Sequence, residues 1–198
     1  MAHHPDTKET AQEFKAQLKI LFGLLALFWS VELIDLFVLE SYRLDQFGIA
    51  PRQIVGLRGI VFAPFLHGNL PHLMANTVPF LTLGWLVMLQ ETKDFWRVTG
   101  VTMLVGGTGV WLIGQPNSIH FGASILIFGY LGFLLFRGYF QRNAPSIAIS
   151  ILVSIFYGNF IWGVLPTQAG ISWEGHLFGF IGGVIAARWI GKARQNTR

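Results

Sequence analysis

Six apolar stretches, at roughly 18–39, 71–89, 97–114, 122–140, 145–165 and 176–191, take up most of this chain. Each is close to the about 20 residues that a helix needs to cross the hydrocarbon of a bilayer. Of the 198 residues, 53% are hydrophobic and only 12% charged, where a soluble domain carries about 25% charged residues. A water-soluble globule is therefore excluded. The spacing predicts an all-α, polytopic membrane protein of six spans: a cytoplasmic N-terminal segment at 1–17, one membrane domain at 18–191 and a cytoplasmic tail at 192–198. The opening "MAHHPDTKETAQEFKAQLK" mixes acids and bases and is not expected to be a cleavable signal peptide. Cysteine is absent, which excludes disulfides, thiolate metal sites and a cysteine nucleophile.

The basic residues set the expected orientation. Lys8, Lys15, Lys19, Lys93, Arg97, Arg137, Arg142, Arg188, Lys192, Arg194 and Arg198 fall on one side of such a six-span path, and only Arg43, Arg52 and Arg58 on the other. Eleven against three places both termini in the cytoplasm. The net charge of +4 then reads as an orientation signal toward membrane lipid, with no nucleic-acid partner. The segment at about 41–70 is long and half apolar, which suits either a loop embedded in the membrane surface or a plain interfacial tether.

Polar side chains at membrane depth are costly and so are candidates for function. Under this topology the second, fourth and sixth spans all start outside. His72 and Asn76 then lie four residues apart on one face of the second, Ser124 opens the fourth and His176 opens the sixth. A lone serine in a span is ordinarily a packing residue, and a lone histidine at a helix end an interfacial one. Four such groups at one depth suggest more: a serine nucleophile with a histidine to take its proton, and donors for an oxyanion on the second span. Gly122, Gly129 and Gly132 on the fourth span and Gly179 and Gly183 on the sixth would let those two helices approach closely enough for the serine and histidine to meet. His67 reads as a brace between the preceding loop and the second span, and His120 as incidental. Glu32 and Asp35, one turn apart in the first span, read as hydrated or paired with loop arginines, the alternative being a proton or ion pathway.

These residues resemble those of the rhomboid intramembrane serine proteases, in their minimal six-helix bacterial form. The resemblance rests on "HGNLPHLMAN" (His67, His72, Asn76), "GAS" (Gly122, Ser124) and "HLFGFIGG" (His176, Gly179, Gly183), in the family's order and helix assignment over about residues 20–190. It implies a rhomboid-like bundle with Ser124 as nucleophile and His176 as general base, without an acid. It further implies an oxyanion held by His72, Asn76 and the Ser124 N–H, and an aromatic, Phe128, stacked on the catalytic imidazole. Residues 41–70 would form the first loop and 166–175 a cap over the site, with the fifth span beside the lateral path for substrate. Substrates would be single-span membrane proteins cut near the outer surface of a bacterial inner membrane, with no cofactor or metal.

The chain departs from the family pattern at two places. Ile125 follows the serine where glycine is usual, and the Trp-Arg pair of the first loop is missing, with Arg58 near its place. Helix geometry, about 100° per residue, points Ile125 away from the nucleophile toward lipid or a neighbouring helix. Its replacement by glycine is expected to widen the substrate path and to cost about 1 kcal/mol in helix propensity. Two other functions fit less well. A rhomboid-like pseudoprotease that binds membrane-protein clients would ordinarily have lost the serine or the histidine. A small transporter would be expected to show an inverted repeat or broken helices. No His-Glu-x-x-His occurs, which argues against a zinc protease.

Overall fold

The computed structural model describes residues 7–39, 44–166 and 170–195. Arg43, Arg198, the first six residues and 167–169 of the expected cap lie outside the described residues. The helices are α1 (Thr7–Phe37), a short α2 (Gly59–Phe62), α3 (Leu70–Met88), α4 (Thr92–Ile113), α5 (Ser124–Gln141), α6 (Ala144–Tyr157) and α7 (Trp173–Gln195). Single 3-10 turns at Leu44–Phe47, Ile54–Arg58 and Ala63–Phe65 build the segment between α1 and α3, and α6 runs on as a 3-10 helix, Gly158–Val164. Among the described residues the fold is all-α; the only strand-like pairing is an isolated bridge between Ile49 and His120.

The six apolar stretches coincide with α1 and α3 through α7. By length and composition, Lys8–Phe37, Ser124–Gln141 and Ala144–Val164 are apolar enough to cross a membrane. The remaining long helices carry polar and small residues that face inward: Asn76 on α3, Thr102 and Gly106 on α4, and His176, Gly179 and Gly183 on α7 are all buried. Mean hydropathy therefore understates how apolar their outward faces are.

Local chemistry sets where the helices begin. Asn69 caps α3 by accepting a hydrogen bond from the His72 N–H at 2.8 Å, and Pro71 sits in the first turn, where its missing N–H costs nothing. Asn143 and Pro145 repeat the device at α6, with the Ser146 N–H donating to Asn143 at 3.0 Å. Arg142 ends α5 in the left-handed region at φ 52°. These caps fix the register of the helices that carry the polar candidates.

α5 is the central helix, with nearly every residue from Ile125 to Leu134 buried, whereas α6 buries only Ser146 and Val153. α7 lies directly against α5. A methyl group added at Gly183 would collide with the Gly129 carbonyl and fall 2.7 Å from the Phe133 nitrogen; one at Gly179 would collide with the Ile125 carbonyl. No side chain can stand between these backbones, so the glycines act as the small residues that membrane helices use for close packing. Phe28, Phe80, Phe95, Tyr130 and Phe133 fill the core around this pair, and the Tyr130 hydroxyl meets Thr99 at 2.8 Å.

The two ends of the bundle differ in chemistry. At one end Arg194 of α7 binds Asp94 at 2.7 Å, Glu91 at 3.3 Å and Gln141 at 3.2 Å, and also Gln90. Arg137 is fully buried beside this knot and donates to the Leu86 carbonyl at 3.2 Å. At the other end the first loop folds back on itself. Arg58 donates to the Gln46 carbonyl at 3.0 Å and lies 4.3 Å over the Phe47 ring. Asp35 accepts from the Leu44 N–H at 2.6 Å, capping the turn that follows α1. Among the described residues the partner of Asp35 is thus a backbone N–H, where the sequence suggested hydration or a loop arginine. Ile54, Val55, Val61 and Phe62 remain exposed along this loop.

Candidate active site

The end of the bundle away from the charged knot contains a cavity of about 1240 Å³. Ser124, His176, His72, Asn76 and Phe128 all line it, so the structure brings the predicted polar groups together around one space. Its rim includes the exposed residues Gln115, Ile119 and Ile171, so it opens at the bundle end.

Ser124 is the first residue of α5 and half-buried. Its backbone N–H has no partner within its own helix, and the positive end of the helix dipole lies at this point. Gly122, two residues earlier, has φ +122°, a conformation that side chains avoid, and donates its N–H to the Ala63 carbonyl at 2.8 Å. A Cβ there would fall 2.7 Å from His72 Cε1. Gly122 is therefore required by the close approach of His72, where the sequence suggested close approach of the sixth span. The Ala123 N–H points at Nε2 of the buried His67, 3.4 Å away, and that ring lies between Phe28 and His72. His67 thus braces the serine-bearing segment, not simply its own loop.

His176 lies in the first turn of α7 and is buried. Its Nδ1 is 2.8 Å from the Gly163 carbonyl oxygen. A carbonyl only accepts, so Nδ1 carries the proton and Nε2 keeps its lone pair, the tautomer a general base needs. Phe128 stacks on the imidazole with centroids 3.9 Å apart and planes 8° from parallel. The 3-10 helix that follows α6 supplies the orienting carbonyl, a contribution that sequence reasoning missed. A backbone oxygen carries no residue signature; the only trace is Gly163 itself, where a Cβ would fall 2.7 Å from the Phe128 ring.

Asn76 is 7% exposed and lines the cavity, and its Nδ2 has no hydrogen-bond partner among the described residues, which leaves that donor unclaimed. His72, one turn earlier, is half-buried on the same face.

Ile125 is buried, and its side chain points at α4, where a Cβ on Gly106 would fall 2.8 Å from Cδ1. It faces a neighbouring helix and does not line the cavity. Replacing it with glycine would therefore not widen a substrate path, and the cost would include an emptied slot between helices as well as helix propensity.

A model of the Rhomboid domain matches residues 55–193. Uncharacterised proteins of Mycobacterium tuberculosis and Mycobacterium bovis are 44% identical over 181 residues, covering 87% of this chain and 75% of theirs. The RHOMBOID-like protein 5 of Arabidopsis thaliana is 28% identical over 127 residues, covering 60% of this chain and 39% of that protein. No solved structure matches the chain. The chain belongs to the rhomboid family of membrane proteins, whose members are intramembrane proteases or pseudoproteases related to them.

Proposed function

We propose that this protein is an intramembrane serine protease that cuts single-span membrane proteins near the outer surface of a bacterial inner membrane. The observation that carries the reading is the state of His176: its Nδ1 is bound to the Gly163 carbonyl and its ring is stacked on Phe128, in a cavity shared with Ser124. The carbonyl holds the imidazole in one tautomer and the stack holds it in one orientation, as a general base on a cavity shared with Ser124 needs.

Ser124 Oγ attacks the scissile carbonyl while its proton passes to His176 Nε2. The oxyanion so formed is held by His72, the Asn76 Nδ2 and the backbone N–H of Ser124. Collapse expels the amine, which takes the proton from His176 and leaves an ester on Ser124. A water then attacks the ester, giving its proton to His176, and collapse returns the serine and releases the new carboxylate. The Gly163 carbonyl takes the orienting part that a carboxylate plays in a triad, and it leaves no buried charge.

The full reading includes six membrane spans, α1 and α3 through α7, with both termini in the cytoplasm. The excess of basic residues at the Arg194 end and the cavity at the other support that orientation. The exposed apolar residues of the first loop support its lying in the membrane surface, and α6, sparsely buried, would flank the lateral path of the substrate. The test is incubation of the purified protein with a generic single-span substrate beside Ser124→Ala. Cleavage by the wild type alone is expected. Equal cleavage by both, or by neither, would contradict the proposal, and the second outcome would favour a client-binding pseudoprotease.

A further inference from the structure

We infer that His120 is a positioning residue, tying the segment that delivers Ser124 to the helix cap that delivers His176. His120 is 9% exposed and lies in the turn between α4 and α5, four residues before Ser124. Its Nδ1 is 2.6 Å from Ser172 Oγ, and its Nε2 is 2.8 Å from Ser118 Oγ. Its backbone exchanges both hydrogen bonds with Ile49 of the first loop, at 2.8 and 2.9 Å. One residue therefore joins three segments that are far apart in sequence.

Ser172 is the cap of α7. Its Oγ accepts from the Gly175 N–H at 3.3 Å, and its carbonyl accepts from the His176 N–H at 3.2 Å. The backbone of His176 thus hangs directly from Ser172. Ser118 donates its hydroxyl proton to the Gln115 carbonyl at 2.5 Å, so it accepts from His120 Nε2–H. In the neutral imidazole Nδ1 then keeps its lone pair and accepts the Ser172 hydroxyl proton, while Ser172 accepts from Gly175. Gly175, Ser172, His120, Ser118 and Gln115 form one polarised chain around a neutral imidazole protonated at Nε2. Such a chain, built into the outer end of the bundle, fixes where α7 begins relative to α5.

This inference rests on the proposed Ser124–His176 chemistry only for its effect on rate; the tie itself is read separately. His120→Ala removes both bonds. In His120→Asn, Oδ1 takes the place of Nδ1 and still accepts from Ser172, whereas His120→Gln places its amide toward Ser118 and loses Ser172. Hydrogen exchange at Gly175 and His176 should therefore quicken at least about tenfold in the Ala and Gln variants and stay near wild type in Asn. A small misplacement of a reacting group costs on the order of 10²-fold in rate. We expect kcat for a single-span substrate to fall about 10–100-fold in Ala and Gln with KM changed less than about threefold, with recovery in Asn. Ser172→Ala should reproduce the loss, and the double variant His120→Ala/Ser172→Ala should be no slower than either single one. Unchanged exchange in His120→Ala, a loss seen mainly in KM, additive losses in the double variant, or an Asn variant as slow as Ala would each overturn the inference. A wild type that neither cleaves nor reacts with a serine probe would end the protease reading and the rate effect with it, and the exchange measurement would still decide whether the tie exists.

Discussion

Asn76→Ala should make the protein slower and no less stable. Truncating a buried asparagine normally breaks hydrogen bonds and destabilises a fold. Here Nδ2 has no hydrogen-bond partner among the described residues, and the residue lines the cavity that opens at the bundle end. The truncation therefore breaks no hydrogen bond within the described residues and gives up only a few packing contacts. The net change should lie close to zero, within about 1 kcal/mol, or a few degrees in Tm for a chain of this size. The same truncation takes one donor from the oxyanion, which typically lowers kcat about 10²–10³-fold. His72 and the Ser124 N–H remain, so activity should stay measurable. The assay is initial cleavage rate and thermal unfolding for both proteins in one detergent. A drop of several degrees in Tm together with near-normal cleavage would refute the reasoning, because Asn76 would then be structural.

Three further outcomes follow from packing and charge. Ile125→Gly should destabilise the protein by about 3 kcal/mol or more, since truncating a buried isoleucine costs about 2–5 kcal/mol and glycine adds about 1 in a helix; it should not speed cleavage, and a faster enzyme would contradict the packing of Ile125 against Gly106. Arg194→Ala should cost about 1–3 kcal/mol, because the fully buried Asp94 loses its 2.7 Å partner and keeps only Arg97, at 3.4 Å; an unchanged Tm would show that the knot contributes nothing. Burial lowers the pKa of His120 below the ordinary 6.5, against the opposing pull of Glu174, with Asp45, His72 and His176 on the same cavity. The unfolded chain then binds the proton more readily, so stability should fall as pH drops below about 6.5, and His120→Asn should flatten that slope in thermal unfolding between pH 5 and 7.

The apolar runs placed six long helices, with the larger differences at three ends: α1 starts at Thr7 instead of about 18, α4 at Thr92 instead of about 97, and α7 runs on to Gln195, while the last part of the fifth run is a 3-10 helix, Gly158–Val164. Polar extensions of a helix have no hydropathy signal, and so those ends were missed. The grouping of Ser124, His176, His72 and Asn76 was legible because helix direction fixes depth once a topology is assumed. Phe128 was legible only through the resemblance to a family. His120 was passed over because a loop histidine gains meaning only from partners such as Ser172 and Ile49, which lie 52 residues on in sequence and across the first loop, respectively. Gly163 was invisible because its contribution is a carbonyl. Gly122 was noticed but for a different neighbour, since its positive φ and its contact with His72 are properties of the folded backbone.

The central claim, that Ser124 is a nucleophile activated by His176, is tested most directly by reacting the purified protein with a fluorophosphonate and locating the adduct by mass spectrometry. The account predicts one adduct, on Ser124, absent from Ser124→Ala and formed far more slowly in His176→Ala. No adduct on the wild type, an adduct on another serine, or equal labelling of wild type and His176→Ala would contradict it.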